Sequence, residues 1–307
     1  MPLIEQARAV VVRHVLSLPT FLGDWPIRRD LIRSSFVAPA NPTRQELIRL
    51  GEQLAHIFQL VGQGQRTNAD VAGGGAVWGA LVAWYLNLCY AGTDAIAFCA
   101  GKHAPAALKD AMSITYQNTS LRSDSDVLVL SLPGLGNEPN QPTPTAIHRR
   151  LAEVVGTSFQ ECGLVNIQCK TNWNDNAQIP MLWNLIFQQS RVGTNPPTGF
   201  LVGKNGFHIR NLAYFAYSFV TVPTTSGGAH GFTPTGMPVR RVASLSGGAF
   251  WGHPTQQGIC RSMGEFFGHQ YSANGNVMPN VNALGVGYVN ALTANQPLVD
   301  TSAFGIS

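Results

Sequence analysis

Charge is what this sequence has least of. Asp, Glu, Lys and Arg together make up 12% of the 307 residues, about half of the roughly 25% usual in soluble domains. The polar work therefore falls to Asn, Gln, Ser and Thr. Basic residues outnumber acidic ones by 20 to 16, for a net charge of +4. Such an excess is compatible with a polyanionic partner without establishing one. Hydrophobic residues reach 45%, enough to bury a sizeable core.

Other absences narrow the chemistry. The five cysteines, Cys89, Cys99, Cys162, Cys169 and Cys260, are odd in number and include no C-x-x-C pair. That argues against a disulfide framework and against a zinc ribbon, and reads as reduced thiols in a cytoplasmic protein. The eight histidines show no metal-ligand spacing; His103, His230 and His253 each stand alone in the sequence, so no zinc site is expected. Gly-x-Ser-x-Gly is missing, which removes the usual signal of an α/β-hydrolase. Gly73-Gly74-Gly75 and Gly134-Leu135-Gly136 are not followed by Lys-Ser/Thr, so nucleotide hydrolysis has no support. The start of the chain carries Glu5, Arg8 and Arg13 among apolar residues and shows no secretory signal. No internal repeat and no clear linker is present.

One long uncharged run exists, residues 71–91. It is long enough to span a bilayer, but it is rich in Gly and Ala and has no flanking Lys/Arg cluster. A helix that is apolar all round is expected to be buried in the core. The helix before it, residues 43–61, is amphipathic: Leu47, Leu50, Leu54, Ile57, Phe58 and Val61 share a face, and Thr43 with Glu46 has capping-box spacing. A glycine-rich link is expected at 65–75. Short apolar runs predict strands at 95–99, 113–116, 127–132, 164–169 and 212–222. Helices are expected at 105–112, 145–159, 178–189 and 258–268. Proline and glycine mark loops at 134–144 and 223–238. The order predicts an α/β fold with a mixed central sheet flanked by helices. Residues 1–65 form an N-terminal helical segment packed on the core, 66–225 the core, and 226–307 a loop-rich extension of the same domain.

Two polar residues stand at the ends of apolar strands. Asp126 opens the 127–132 strand and Lys170 closes the 164–169 strand. If the strands are neighbours, both ends converge. A charge at the end of a buried strand is costly unless it is paired or serves a site. The pair suits phosphodiester hydrolysis: Asp126 would hold a hard divalent cation, and Lys170 would sit beside the phosphate or the attacking water. Gln168 shares the strand face of Lys170, and Cys169 points the other way, into the core. The competing structural readings are a turn residue at a strand entry for Asp126, an exposed strand end for Lys170 and a polar sheet-edge residue for Gln168.

Asp126 before the apolar strand, followed by Ile167-Gln168-Cys169-Lys170-Thr171-Asn172-Trp173-Asn174-Asp175, resembles the PD-(D/E)-x-K nuclease core over residues 70–222. The Gln168-Cys169-Lys170 triplet is similar to the Q-x-K variant of the methyl-directed Mrr-type branch. The resemblance implies a restriction-endonuclease-like fold and a type II-like, Mg²⁺-dependent (or Mn²⁺-dependent) deoxyribonuclease acting on double-stranded DNA. Asp126, Gln168 and Lys170 would be catalytic, with Asp126 and Gln168 on the metal. It further implies a homodimer and, in a restriction system, a cognate DNA methyltransferase. Many members carry a Glu on the helix before the first strand, whereas Trp78-Gly79-Ala80-Leu81 here has none. Asn172 and Asn174 could read base edges or could cap the next helix. Arg240 and Arg241, like Arg149 and Arg150, could contact phosphate or lie on a solvated surface. Two rival functions remain: a catalytically decayed nuclease fold that binds DNA or protein, and an apolar-ligand or membrane-associated protein based on the uncharged run.

Overall fold

The computed structural model describes residues 1–35, 44–61, 68–99, 102–121, 125–171, 200–222, 266–267 and 304–305. Helices α1 (Leu3–Leu16), α2 (Pro19–Leu22), α3 (Trp25–Ser35), α4 (Arg44–Val61) and α5 (Asn68–Tyr90) come first. Strand β1 (Ala95–Cys99), helix α6 (Ala106–Ala111) and the hairpin β2 (Ile114–Tyr116) and β3 (Thr119–Leu121) follow. Then come β4 (Val127–Ser131), α7 (Pro144–Thr157), β5 (Gly163–Lys170), β6 (Phe200–Val202) and β7 (Tyr214–Thr221).

The central sheet has the order β1-β4-β5-β7. β1 with β4 and β4 with β5 are antiparallel, and β5 with β7 is parallel. The molecule is thus α/β with a mixed sheet flanked by helices. All four strands are continuously buried, apart from half-buried Lys170 at the end of β5, because both faces are covered. Odd-numbered residues such as Val129, Val165 and Ile167 pack toward α5 and α4. Even-numbered Leu128, Leu130 and Leu164 pack toward α1, α6 and α7. A smaller sheet, β3-β2-β6, is antiparallel. Its hairpin turns on Gln117 and Asn118, both at positive φ (45° and 68°), as a two-residue turn of the primed type requires.

The outer edge of β1 is blunted by other parts of the chain. Asn87 on α5 accepts from Ala97 N at 3.0 Å and donates to Ala97 O at 2.7 Å. Arg8 on α1 donates to Ala95 O at 2.6 Å, and Lys102 N donates to Cys99 O at 2.9 Å. These contacts replace a missing strand partner, which is how exposed edges are made safe against further pairing.

All but the last residue of the uncharged run lies in α5, which is buried from Val77 to Tyr90, with Trp78, Leu81, Trp84, Leu86 and Tyr90 in the core. Among the described residues no helix is long and apolar enough to cross a membrane. The link expected at 65–75 is a correction: α5 begins at Asn68 and includes Gly73 to Gly75. A helix already propagating through a long apolar run absorbs a glycine at a cost of about 1 kcal/mol, so the glycines do not stop it. Thr43, the expected helices at 178–189 and most of 258–268, and the loop at 223–238 lie outside the described residues. Phe266 and Phe267 are described, helical and buried.

Candidate functional site

Antiparallel pairing of β4 with β5 matches Val127 to Ile167. The register therefore puts Asp126, one residue before β4, level with Gln168 near the end of β5. The two strand ends that the sequence marked as polar do converge. Both the Gln168 side-chain amide and the Cys169 backbone N–H donate to Asp126 Oδ2, the latter at 2.7 Å. This fixes the Gln168 amide: its nitrogen faces the carboxylate, and its oxygen Oε1 is buried with no partner among the described residues.

Helix α5 forms one wall. At Gly79, an added Cβ would stand 3.7 Å from Asp126 Cβ and 3.9 Å from Cys169 Cβ. Both are ordinary van der Waals distances, so the helix lies over the strand ends with room for a Cβ at this position. Cys169 faces this helix and is 3% exposed, while Gln168 is fully buried on the opposite face. Lys170 is half-buried; its backbone carbonyl accepts from Val222 N at 3.0 Å, and its side chain makes no hydrogen bond or ion pair with the described residues. Its charge and that of Asp126 both reach the Cys169 thiol. Burial raises that thiol's pKa most; Asp126 raises it further and Lys170 opposes the rise. Burial and then Asp126 push Cys99 up to about 11 and hold Tyr217 far above the usual phenol value. Cys99, Cys169 and Tyr217 are thus neutral at physiological pH.

Among the described residues the donor set here is one carboxylate and one buried amide oxygen without a partner, with Lys170 on the same strand face as that amide. Among the described residues no group of three His, Cys, Asp or Glu is arranged to hold a metal ion. A small hard cation that keeps most of its own water and takes only one or two carboxylates still fits such a set. A soft metal that needs several nitrogen or sulfur ligands does not.

The remaining sequence candidates fall in different places. Asn172, Asn174, Arg240 and Arg241 lie outside the described residues, as do Trp173, Trp183, His230 and His253. Arg150 is bound to Glu138 at 2.8 Å and to Glu153 at 3.5 Å, and Arg149 lies 3.9 Å from Glu153. This pair belongs to a local ion-pair network on α7. His103 is not isolated. Its ring packs edge-on against His14, with centroids 5.1 Å apart, and against His148, with centroids 4.7 Å apart. Cys89, Cys99, Cys162 and Cys169 are buried free thiols.

Sequence reading missed Asn166, Tyr217 and Thr221. All three are buried polar residues on the Gln168 face of β5 and β7. The available signal was a polar side chain inside an otherwise apolar strand. Comparison with known proteins finds no matching family model, no similar curated protein and no similar solved structure.

Proposed function

We propose that this chain is a Mg²⁺-dependent endonuclease of double-stranded DNA with a restriction-endonuclease-like core. The observation that carries this reading is the pairing of β4 with β5, which brings Asp126, Gln168 and Lys170 to one end of the sheet. The connectivity agrees with the reading: a helix, three antiparallel strands, then a strand parallel to the third.

Asp126 and Gln168 Oε1 would hold the cation. When bound, Mg²⁺ supplies Lewis acidity and lowers the pKa of a coordinated water. Lys170, with no counter-charge among the described residues, neutralises the phosphate as negative charge develops on it. The Gln168 amide and the Cys169 N–H orient the Asp126 carboxylate, and α5, which passes over the strand ends at Gly79, closes one side against solvent. A two-fold homodimer would address the two strands of a symmetric site. In a restriction system the cytoplasmic partner would be a methyltransferase of the same specificity.

The test uses supercoiled plasmid and phage DNA, modified and unmodified, with Mg²⁺, Mn²⁺ or chelator. Metal-dependent nicking or linearisation is expected, and Asp126→Ala should lose it. DNA left whole under every condition contradicts the reading. A second reading has one observation in its favour, that the described residues give the site a single carboxylate. In it, the same fold binds DNA or a partner protein without cutting, and metal-independent DNA retention on a gel would be its signature.

A further inference from the structure

Three histidines from distant parts of the chain meet at one place. His14 lies in the last turn of α1, His103 in the turn after β1 and His148 in α7. The His103 ring packs edge-on against both others, with centroids 5.1 Å from His14 and 4.7 Å from His148. His103 holds a φ of 64°, a conformation that non-glycine residues seldom adopt. Its turn is tied to β1 by the bond from Lys102 N to Cys99 O at 2.9 Å.

Two lysines join the group. Lys102 and Lys109 are exposed, and the three rings are half-buried. Burial lowers the His103 pKa most, and His148, His14, Lys102 and Lys109 lower it further. Burial and then Lys102 lower that of His14. The acids carried by α6 and α7 are engaged by other bases: Asp110 by Lys204 at 3.2 Å, and Glu153 by Arg150 and Arg149. Five basic side chains held together repel one another whenever the rings are charged. Stability alone does not favour that arrangement, whereas a polyanion does.

The group stands at the same end of the sheet as Asp126. Cys99, the last residue of β1, pairs with Val127, the neighbour of Asp126. The charges of Asp126 and Lys102 both act on the Cys99 thiol. Helices α1, α6 and α7 cover the sheet face of Leu128, Leu130 and Leu164, which by strand alternation is also the face of Gln168 and Lys170. In the order β1-β4-β5, β1 and β5 are two strand spacings apart, about 10 Å. Along one strand of duplex DNA that distance covers about three nucleotides, at roughly 3.4 Å each.

We propose that His14, Lys102, His103, Lys109 and His148 form a seat for the phosphodiester backbone of duplex DNA, beside the site of Asp126 and Lys170. This deepens the nuclease reading and rests on it for the identity of the polyanion. The two lysines supply standing charge. His14 and His103 are neutral in the free protein near pH 7 and take up a proton as phosphate approaches, because a nearby anion favours the charged imidazole. Binding is thereby coupled to proton uptake and tightens as pH falls.

The experiment measures retention of a short fluorescent duplex by the full chain, without divalent metal, over a range of salt concentrations. Lys102→Gln and Lys109→Gln should each make the slope of log affinity against log salt shallower by about 0.9, one phosphate contact apiece, and the double variant by about twice that. Wild-type binding should tighten at least about threefold as pH falls from about 7.5 to about 5.5, where uptake of one full proton allows about tenfold per pH unit. His103→Asn, which keeps a residue tolerant of positive φ, should lose at least about half of that gain on a logarithmic scale. The lysines are exposed, so their arm stands even if His103→Asn fails to fold. A wild-type slope in the double lysine variant overturns the proposal, as does a full pH response in folded His103→Asn. A wild type that retains no duplex at any salt concentration also overturns it. Inorganic phosphate that displaces the duplex at constant ionic strength overturns it in favour of a site for free phosphate. If the variants behave as expected and plasmid DNA stays whole with Mg²⁺, the nuclease reading falls and the seat stands. If plasmid is cut and neither slope nor pH response changes, the seat falls and the nuclease reading stands.

Discussion

The two ends of the central sheet are built from the same strands and are finished in opposite ways. At one end, Ser131 and Tyr214 share a hydrogen bond of 2.8 Å over Gly163. There the Asp94 carboxylate accepts from Gly136 N at 2.6 Å and Gly134 N at 3.0 Å. At the other end, Asp126 has gathered donors on one oxygen, yet the side chains around it leave oxygen atoms unpartnered. Both ends hold a carboxylate at a strand mouth. Among the described residues, only one has its surroundings satisfied. Polar satisfaction is the general rule for buried groups, so the closed end is what stability alone produces. The open end keeps oxygen atoms that no described residue satisfies.

The largest expected effect lies at the closed end. A Cβ at Gly163 would collide with the Tyr214 ring and come within 2.5 Å of Ser131 Oγ. Gly163→Ala should cost about 2–3 kcal/mol by overpacking, read as a lower urea midpoint. Next is one chemical change made twice, three residues apart on β7. Tyr214→Phe strips Ser131 of its partner and should cost about 1–3 kcal/mol. Tyr217→Phe removes a hydroxyl that has no partner among the described residues and should cost nothing. Equal losses in the two variants, measured by thermal unfolding, would erase the distinction between the ends.

A smaller gain is expected at the wall of the site. The Gly79 Cβ contacts with Asp126 and Cys169 are ordinary packing distances. Gly79→Ala should therefore stabilise α5 by about 0.5–1 kcal/mol. The smallest effect concerns acid. His208 Nδ1 accepts from Arg210 N at 2.9 Å, and burial, then Arg210, lower its pKa from 6.5 to about 4. The unfolded chain thus binds the proton more readily. The contribution of neutral His208 is complete above about 6.5 and is lost as pH falls toward 4. His208→Asn keeps a good cap and should flatten the loss of stability in that window. An unaltered slope of melting temperature against pH would show that His208 does not titrate there.

The closed end was not legible in the sequence, and half of the open end was. Asp126 and Lys170 stood out because each is a charged residue terminating an apolar run, a local feature. That β4 and β5 are neighbours was a condition the sequence could state and only the fold could meet. Asn166, Tyr217 and Thr221 went unread because their meaning depends on the register of β5 against β7, which is set by pairing between distant segments. His14, His103 and His148 stayed separate for the same reason: α1, the turn after β1 and α7 bring them together from distant parts of the chain. The continuation of α5 through Gly73 to Gly75 was missed because local glycine content was given more weight than helix cooperativity. Tyr214 and Gly163 looked like ordinary strand residues, and their mutual fit appears only in three dimensions.

The central claim is that the open end of the sheet serves catalysis rather than folding. Lys170→Met keeps the aliphatic stem and removes the charge. With Mg²⁺ and plasmid DNA, the variant should melt at the temperature of the wild type and cut at least about a hundredfold more slowly, the usual scale for losing a positioned charge or proton-transfer group. A variant that melts normally and cuts at the wild-type rate would contradict the claim.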